Sequence, residues 1–175
     1  HIGGRAGSVS FKCSDNLNHL IQEYIFEADK ECEEMIKIKK PKAKVFSYCL
    51  DKECGFRDFY LNKNRYTSSF LKPNKNNLNF YQSINGKNVL IAESCTPEKK
   101  IKLETYSLDY LLEENKIKPI DYISLDTQGS ELDIIKGGIN TLKKNIIAVE
   151  LEVSLIEFYE NGSSFFEINK FLNNN

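Results

Sequence analysis

Two acidic residues, Asp126 and Glu27, and three glycines, Gly3, Gly4 and Gly7, have the types and positions that could do chemistry. Asp126 ends an apolar run at residues 122–125. A Thr-Gln-Gly turn, a short amphipathic stretch and a second apolar run at residues 146–153 follow it. A carboxylate at the carboxyl end of a buried strand stands where open α/β sheets put ligand-binding groups. The glycines spell G-G-x-x-G, and lacking side chains they let backbone N–H groups approach a ligand closely. Alone, that pattern is weakly specific. Glu27 strengthens it, lying about 20 residues further on at the end of another strand, where an acidic side chain can accept two hydrogen bonds from a ribose diol.

NAD and S-adenosylmethionine both contain a ribosyl adenine, so Glu27 does not separate them. A dinucleotide needs its pyrophosphate against a full G-x-G-x-x-G turn, and this turn lacks that pattern. The methionine end of S-adenosylmethionine carries an ammonium and a sulfonium, which suit carboxylates and carbonyls at strand ends. Asp126 fits there, and it is also the candidate general base for a hydroxyl proton; the plainer reading is a turn aspartate. His19 is a poorer base, placed on an amphipathic stretch. Gln128 and Gly129 read as setting turn geometry, and Glu131 as either a capping carboxylate favoured by the helix dipole or a functional one.

The elements that must position these residues alternate between strand and helix. Residues 1–2 read as the end of a strand and residues 15–21 as a short helix. Residues 23–27 (EYIFE) read as a strand by their aromatic and β-branched content. Asp29 is a good N-cap for a helix to about residue 39, stopped by Pro41. Residues 44–50 read as a third strand and residues 56–61 as a strand-like piece. The Asn-, Ser- and Lys-rich residues 63–95 read as a long excursion without regular structure, which in a compact domain is usually functional. Residues 100–106 are extended, and Ser107 caps a helix to residue 115. Ser130 is expected to cap a helix over 131–136, ended by Gly137-Gly138 through a left-handed residue. A further helical turn at 139–144, the strand at 146–153 and a helix over 165–172 complete the chain. Such alternation implies a mostly parallel sheet of about five strands covered on both faces.

Composition narrows the function classes. At 175 residues the chain is expected to be one domain, residues 1–175, large enough to bury a core. Hydrophobic content of 41% with 28% charge is ordinary for a soluble globular protein. A net charge of −1 argues against a nucleic-acid partner, and no apolar run approaches the roughly 20 residues needed to span a bilayer. The five cysteines, Cys13, Cys32, Cys49, Cys54 and Cys95, form no C-x-x-C pair, and the two histidines are His1 and His19. No metal site is therefore expected, and reduced thiols in a cytoplasmic protein are. The basic residues 37–44 read as a solvated helix end.

With these pieces in order, the chain resembles the FkbM-type methyltransferases. The matching segments are IGGRAG, YIFEADKECEEM, YCLDKECGFRDFY, TSSFLKPN, LETYSLDYLL, IDYISLDTQGSELDIIKGG and AVELEVSLIEFYENGSSFFEINKFL. The segment around Asp126 is the most specific of them. The resemblance implies a Rossmann-like class I methyltransferase fold using S-adenosylmethionine. It implies that Gly3, Gly4, Gly7, Glu27 and Asp126 line the cofactor site, with Cys49 and Leu50 against the adenine. Members commonly carry an acidic residue just ahead of the glycines, where this chain has His1, and they continue with further strands after the last helix. The sheet is accordingly expected to be truncated at both ends.

The expected activity is methyl transfer to a hydroxyl of a sugar, glycan or secondary metabolite, with Tyr66, Ser68, Ser69 and Tyr159 as candidate acceptor contacts. Residues 65–74 are a candidate lid, and the alternative for them is a polar loop anchored by Tyr66 and Phe70. A catalytically inactive Rossmann-like binding or scaffold module is the rival reading of the whole chain, and an NAD-dependent oxidoreductase the third. Oligomeric state is not legible.

Overall fold

The computed structural model describes residues 1–3, 19–81 and 90–175. Gly4, Gly7, Cys13 and the first part of the helix expected at 15–21 lie outside the described residues. Leu20 and Ile21 are exposed, so they bury no helical face.

Five parallel strands make the main sheet, in the order β3-β2-β1-β7-β8. They are β1 (Ile2–Gly3), β2 (Tyr24–Phe26), β3 (Lys44–Phe46), β7 (Tyr122–Asp126) and β8 (Ala148–Leu151). The mostly parallel α/β architecture is that of a Rossmann-like methyltransferase fold. Its strand order reverses between β1 and β7, because the chain winds one way from β1 to β2 and β3 and the other way to β7 and β8. Ile2 pairs with Leu125 and Gly3 with Asp126, so Asp126 comes directly beside the end of β1. Gly3 sits at φ +78°, and a Cβ there would lie 2.1 Å from the Asp126 carbonyl oxygen. Only glycine permits that approach.

Helices cover both faces. Alternation along β2 turns Ile25 to one side, where it packs with Cys32 and Ile36 of α1 (Lys30–Lys39), and Phe26 to the other. On Phe26's side the main core gathers Ile2, Leu50, Ile123 and Leu125 with Leu108 and Leu111 of α4 (Leu108–Glu114) and Ile134 and Ile135 of α5 (Glu131–Gly137). As expected, Asp29 caps α1, accepting from the Glu31 N–H at 3.0 Å. Later in the chain come α6 (Ile139–Asn145) and α7 (Phe165–Asn173), the latter with its first turn closed by a capping box between Ser164 and Glu167. Among the described residues, no helix is long and apolar enough to cross a membrane.

Several expectations are corrected. The strand foreseen at 44–50 is broken: β3 ends at Phe46, and β4 (Cys49–Leu50) joins a second sheet, order β4-β6-β5. There β4 lies parallel to β6 (Pro97–Tyr106), and β6 runs antiparallel to β5 (Gly55–Asn62). Tyr48, at the break, packs edge-on against Tyr106 with ring centroids 5.2 Å apart. The partner of β4 is distant in sequence, so a local pattern carries no sign of the switch.

The excursion at 63–95 contains regular structure after all: a 3-10 turn (Arg65–Thr67), α2 (Lys75–Leu78) and α3 (Ile91–Ser94). Asn64 and Asn74 cap the first two through their side chains. Asparagine disfavours helix interiors but favours their starts, which disguises such short pieces as loop.

Gly138 is not left-handed (φ −113°). The two glycines serve close packing instead: a Cβ on Gly137 would meet the Asp51 carbonyl oxygen at 2.4 Å, and one on Gly138 the Leu108 Cδ2 at 2.7 Å. Ser130 does not cap α5 with its side chain; its hydroxyl donates back to the Thr127 carbonyl at 3.2 Å.

Candidate active site

A cavity of about 630 Å³ opens at the carboxyl ends of β1, β2 and β7. That is the crevice beside a strand-order reversal, where open α/β sheets bind ligands, and the volume falls within the usual small-molecule range of about 300–1,000 Å³. The fold brings Gly3, Glu27, Cys49, Leu50 and Asp126 to this one cavity, together with Tyr66 and Ser68. Their sequence positions span more than half the chain.

Glu27 follows β2 directly and is only 7% exposed. Its Oε1 accepts the Asp29 N–H at 2.8 Å, which fixes the carboxylate at the cavity wall. Two aromatic rings, Phe26 and Tyr48, continue that wall, backed by Phe46, which stacks on Phe26 (centroids 5.2 Å) and on Tyr48 (6.5 Å). Burial, reinforced by the negative charges of Asp51 and Glu27, pushes the Cys49 thiol up to about 12. The thiol is therefore neutral near pH 7 and packs as a small apolar group.

Asp126 belongs to a network centred on Gln128. The Gln128 Nε2 donates to Asp126 Oδ1 at 3.0 Å and to Glu152 Oε2 at 2.7 Å. The Gln128 backbone carbonyl accepts from Ser69 Oγ at 2.7 Å, and its Oε1 lies 3.0 Å from the Tyr159 hydroxyl, which also reaches the Thr67 carbonyl at 2.8 Å. Gln128 adopts φ +59°, a left-handed conformation uncommon for a side chain of its size. Such conformations persist where the surroundings over-determine them, as Ser69 and Tyr159 do here. Desolvation, with the neighbouring Asp126 charge, raises Glu152 to about 8. Glu152 therefore holds its proton at neutral pH.

Ser69 and Tyr159 do not line the cavity. Both are buried behind its wall, where they hold the Gln128 turn. Ser68 does face the cavity, and its Oγ accepts the Asn62 N–H at 3.1 Å. Tyr66 stands at the mouth, 65% exposed. Glu131, read two ways in the sequence, ties the turn after β7: it accepts from the Thr127 N–H at 2.9 Å, the Thr127 hydroxyl at 3.1 Å and the Gly129 N–H at 3.2 Å. Its burial raises the carboxyl's proton affinity, which these donors oppose. His19 is exposed and no part of the cavity wall.

Sequence reading missed three contributors. Tyr48 lay inside a supposed continuous strand. Gln128 passed as a turn residue because its partners, Ser69 and Tyr159, are remote in sequence. The third is the face of the β5–β6 hairpin that presents Phe59, Leu61, Ile101 and Leu103 to the cavity. The alternation in KIKL at 100–103 and in RDFYL at 57–61 was the available signal. Arg57 anchors this hairpin: its Nη1 donates to Asp51 Oδ1 at 2.7 Å and to Asp133 Oδ2 of α5 at 3.1 Å, and its guanidinium lies 4.8 Å from the Phe70 ring centre.

Among the described residues, no group of three or more His, Cys, Asp or Glu side chains is arranged to hold a metal ion. No curated protein and no solved structure matches the chain. A family model does: the Methyltransferase FkbM domain matches residues 1–175, the whole of the sequence given. With a five-strand parallel sheet consistent with such a domain, the chain belongs to the FkbM methyltransferase family.

Proposed function

We propose that this protein is an S-adenosylmethionine-dependent O-methyltransferase acting on a hydroxyl of a small-molecule or glycan acceptor. The observation that carries the reading is Glu27: a carboxylate 7% exposed, at the end of β2 and on the wall of a cavity shared with Asp126. The Asp29 N–H steadies that carboxylate, and from the cavity wall it can accept from the hydrogen-bond donors of a ligand. A ribose diol brings two such donors, and the aromatic wall of Phe26 and Tyr48 suits a flat base. The donor set therefore fits a nucleoside with a cationic tail, and Gly3, Glu27, Cys49 and Leu50 are the described residues assigned to hold it. Gly4 and Gly7 are proposed to join them.

S-adenosylmethionine, when bound, supplies a methyl group activated by its sulfonium. The chain's own part is positioning, which accounts for much of the rate in a transfer without a covalent enzyme intermediate. Gln128 holds Asp126 by one carboxylate oxygen. Asp126 then offers negative charge to a cationic donor and a site for the proton leaving the acceptor hydroxyl. Ser69 and Tyr159 act through Gln128 as positioning residues, and Ser68 and Tyr66 are the acceptor contacts of this reading.

Calorimetry with S-adenosylmethionine, S-adenosylhomocysteine and NAD tests it. Micromolar or tighter binding of the two sulfur compounds, with none of NAD, is expected; binding of neither sulfur compound overturns the proposal. Incubation with labelled donor and a panel of hydroxyl acceptors then reads the transfer itself.

A further inference from the structure

The walls of the cavity differ in chemistry. The edge of the main sheet gives it Glu27, Asp126 and Gln128. Across from these, the β5–β6 hairpin gives it hydrocarbon. The antiparallel register pairs Arg57 with Leu103, Phe59 with Ile101 and Leu61 with Lys99, so on one face Phe59, Leu61, Ile101 and Leu103 form an apolar patch flanked by Arg57 and Lys99, and Phe70 packs edge-on to Phe59 at 5.3 Å. The opposite face is polar: Lys100 bonds Asp58 at 2.7 Å and lies over the Tyr60 ring. The four apolar side chains are only half-buried, so apolar surface of the cavity face is left to water. Exposed apolar surface of that kind is covered favourably by an apolar ligand.

The two arginines on this side are compensated. Arg57 pairs with Asp51 and Asp133, and Arg65, at the mouth, bonds Glu98 at 3.2 Å and the Asn62 carbonyl at 3.0 Å. Lys30 lines the cavity on the main-sheet side, whereas at this wall a phosphorylated or carboxylated group would have to break one of these pairs. An uncharged body would not.

We infer that the hairpin wall selects the acceptor, and that the acceptor is amphipathic: a hydroxyl carried on an uncharged apolar body, aliphatic or aromatic, rather than a bare sugar or a charged metabolite. Its body lies on Phe59, Leu61, Ile101 and Leu103, and its hydroxyl faces Asp126. This rests on the methyl-transfer reading for the hydroxyl's role, but the preference for an apolar body is a property of the wall itself.

The test is calorimetric and uses the chain saturated with S-adenosylhomocysteine. Cyclohexanol, 4-tert-butylphenol and octyl β-D-glucoside, below its micelle concentration, are compared with glycerol, glucose and methyl β-D-glucoside. A buried methylene is worth about fourfold in affinity, so the apolar probes are expected to bind at least roughly tenfold tighter than their polar counterparts. An Ile101→Asn, Leu103→Asn double variant is expected to lose that preference while keeping its affinity for S-adenosylhomocysteine. Equal affinities across the panel, binding of no apolar probe, or a preference untouched in the folded double variant overturns the inference. If the double variant does not fold, the wild-type series decides alone. If S-adenosylhomocysteine does not bind, the methyl-donor reading fails, and the panel repeated on the chain without it still reads the wall.

Discussion

The two sides of the cavity are built by different means. On the side of the main sheet the functional groups are fixed by backbone: Asp126 is set beside Gly3 by strand pairing, Glu27 by the strand end and the Asp29 N–H, and Gln128 by three elements at once. On the hairpin side the wall is two strands of alternating side chains tied to the rest through Arg57. The difference shows in the glycines. A Cβ on Gly3 collides with backbone at 2.1 Å, whereas a Cβ on Gly55, at the start of β5, meets nothing within 4 Å. The first side has little freedom to vary, as befits groups facing a ligand common to a family. The second can change its side chains without moving the backbone, as the proposed selection of an acceptor requires.

The sharpest way to break this comparison is to put the same methyl group into both halves. Gly3→Ala combines a left-handed backbone with a backbone clash and is expected to destabilise the chain by about 3–5 kcal/mol in chemical denaturation. Gly55→Ala is expected to stay within about 0.5 kcal/mol of the parent. Equal effects would erase the distinction.

Removing the tie between the halves comes next. Arg57→Met leaves Asp51 buried without its cation. Breaking a fully buried pair costs roughly 3–5 kcal/mol, and because the Arg57 side chain is 28% exposed the expected loss is smaller, about 2–3 kcal/mol by the same measurement.

For ligand binding the two sides are expected to separate. Loss of charge-assisted hydrogen bonds is worth about 1.5–3 kcal/mol, so Glu27→Ala should weaken S-adenosylhomocysteine about 10- to 100-fold in calorimetry. Phe59→Ala is expected to change it by less than about twofold, consistent with the few tenths of a kcal/mol typical outside a contact. Unchanged affinity in Glu27→Ala would mean the ribose assignment is wrong.

The smallest effect concerns pH. The Glu152 carboxyl is raised from 4.5 to about 8, so its charged form is the one the fold disfavours. Its contribution to stability is complete below about 4.5, declines as pH rises, and is gone above about 8. Glu152→Gln is expected to flatten the pH dependence of the denaturation midpoint across that window. A parent and variant with parallel profiles would show that the Glu152 carboxyl is not raised in the folded chain.

Much of the first side was legible in the sequence and little of the second. Glu27 and Asp126 announce themselves because each ends an apolar strand, and strand ends of one parallel sheet necessarily share an edge. The Gln128 network was hidden, since nothing local to residue 128 points to Ser69 or Tyr159. The hairpin was half-visible: its strands could be read, but whether their apolar face looked inward to a core or onto a cavity depends on what lies opposite. Ser69, in the lid candidate at 65–74, and Tyr159, following the last strand, both lie behind the cavity wall, where they bond Gln128.

By itself the sequence determined the order of the main-sheet strands and the longer helices, the parallel sheet, the family, and the acidic residues that end β2 and β7, because hydrophobic periodicity and strand-end chemistry are local properties of the chain. Tertiary structure decided that β4 leaves the main sheet for β6, that Gly137 and Gly138 serve packing rather than a turn, and that Gln128 holds the Asp126 carboxylate. These outcomes rest on contacts between segments tens of residues apart, and such contacts exist only once the chain has closed on itself.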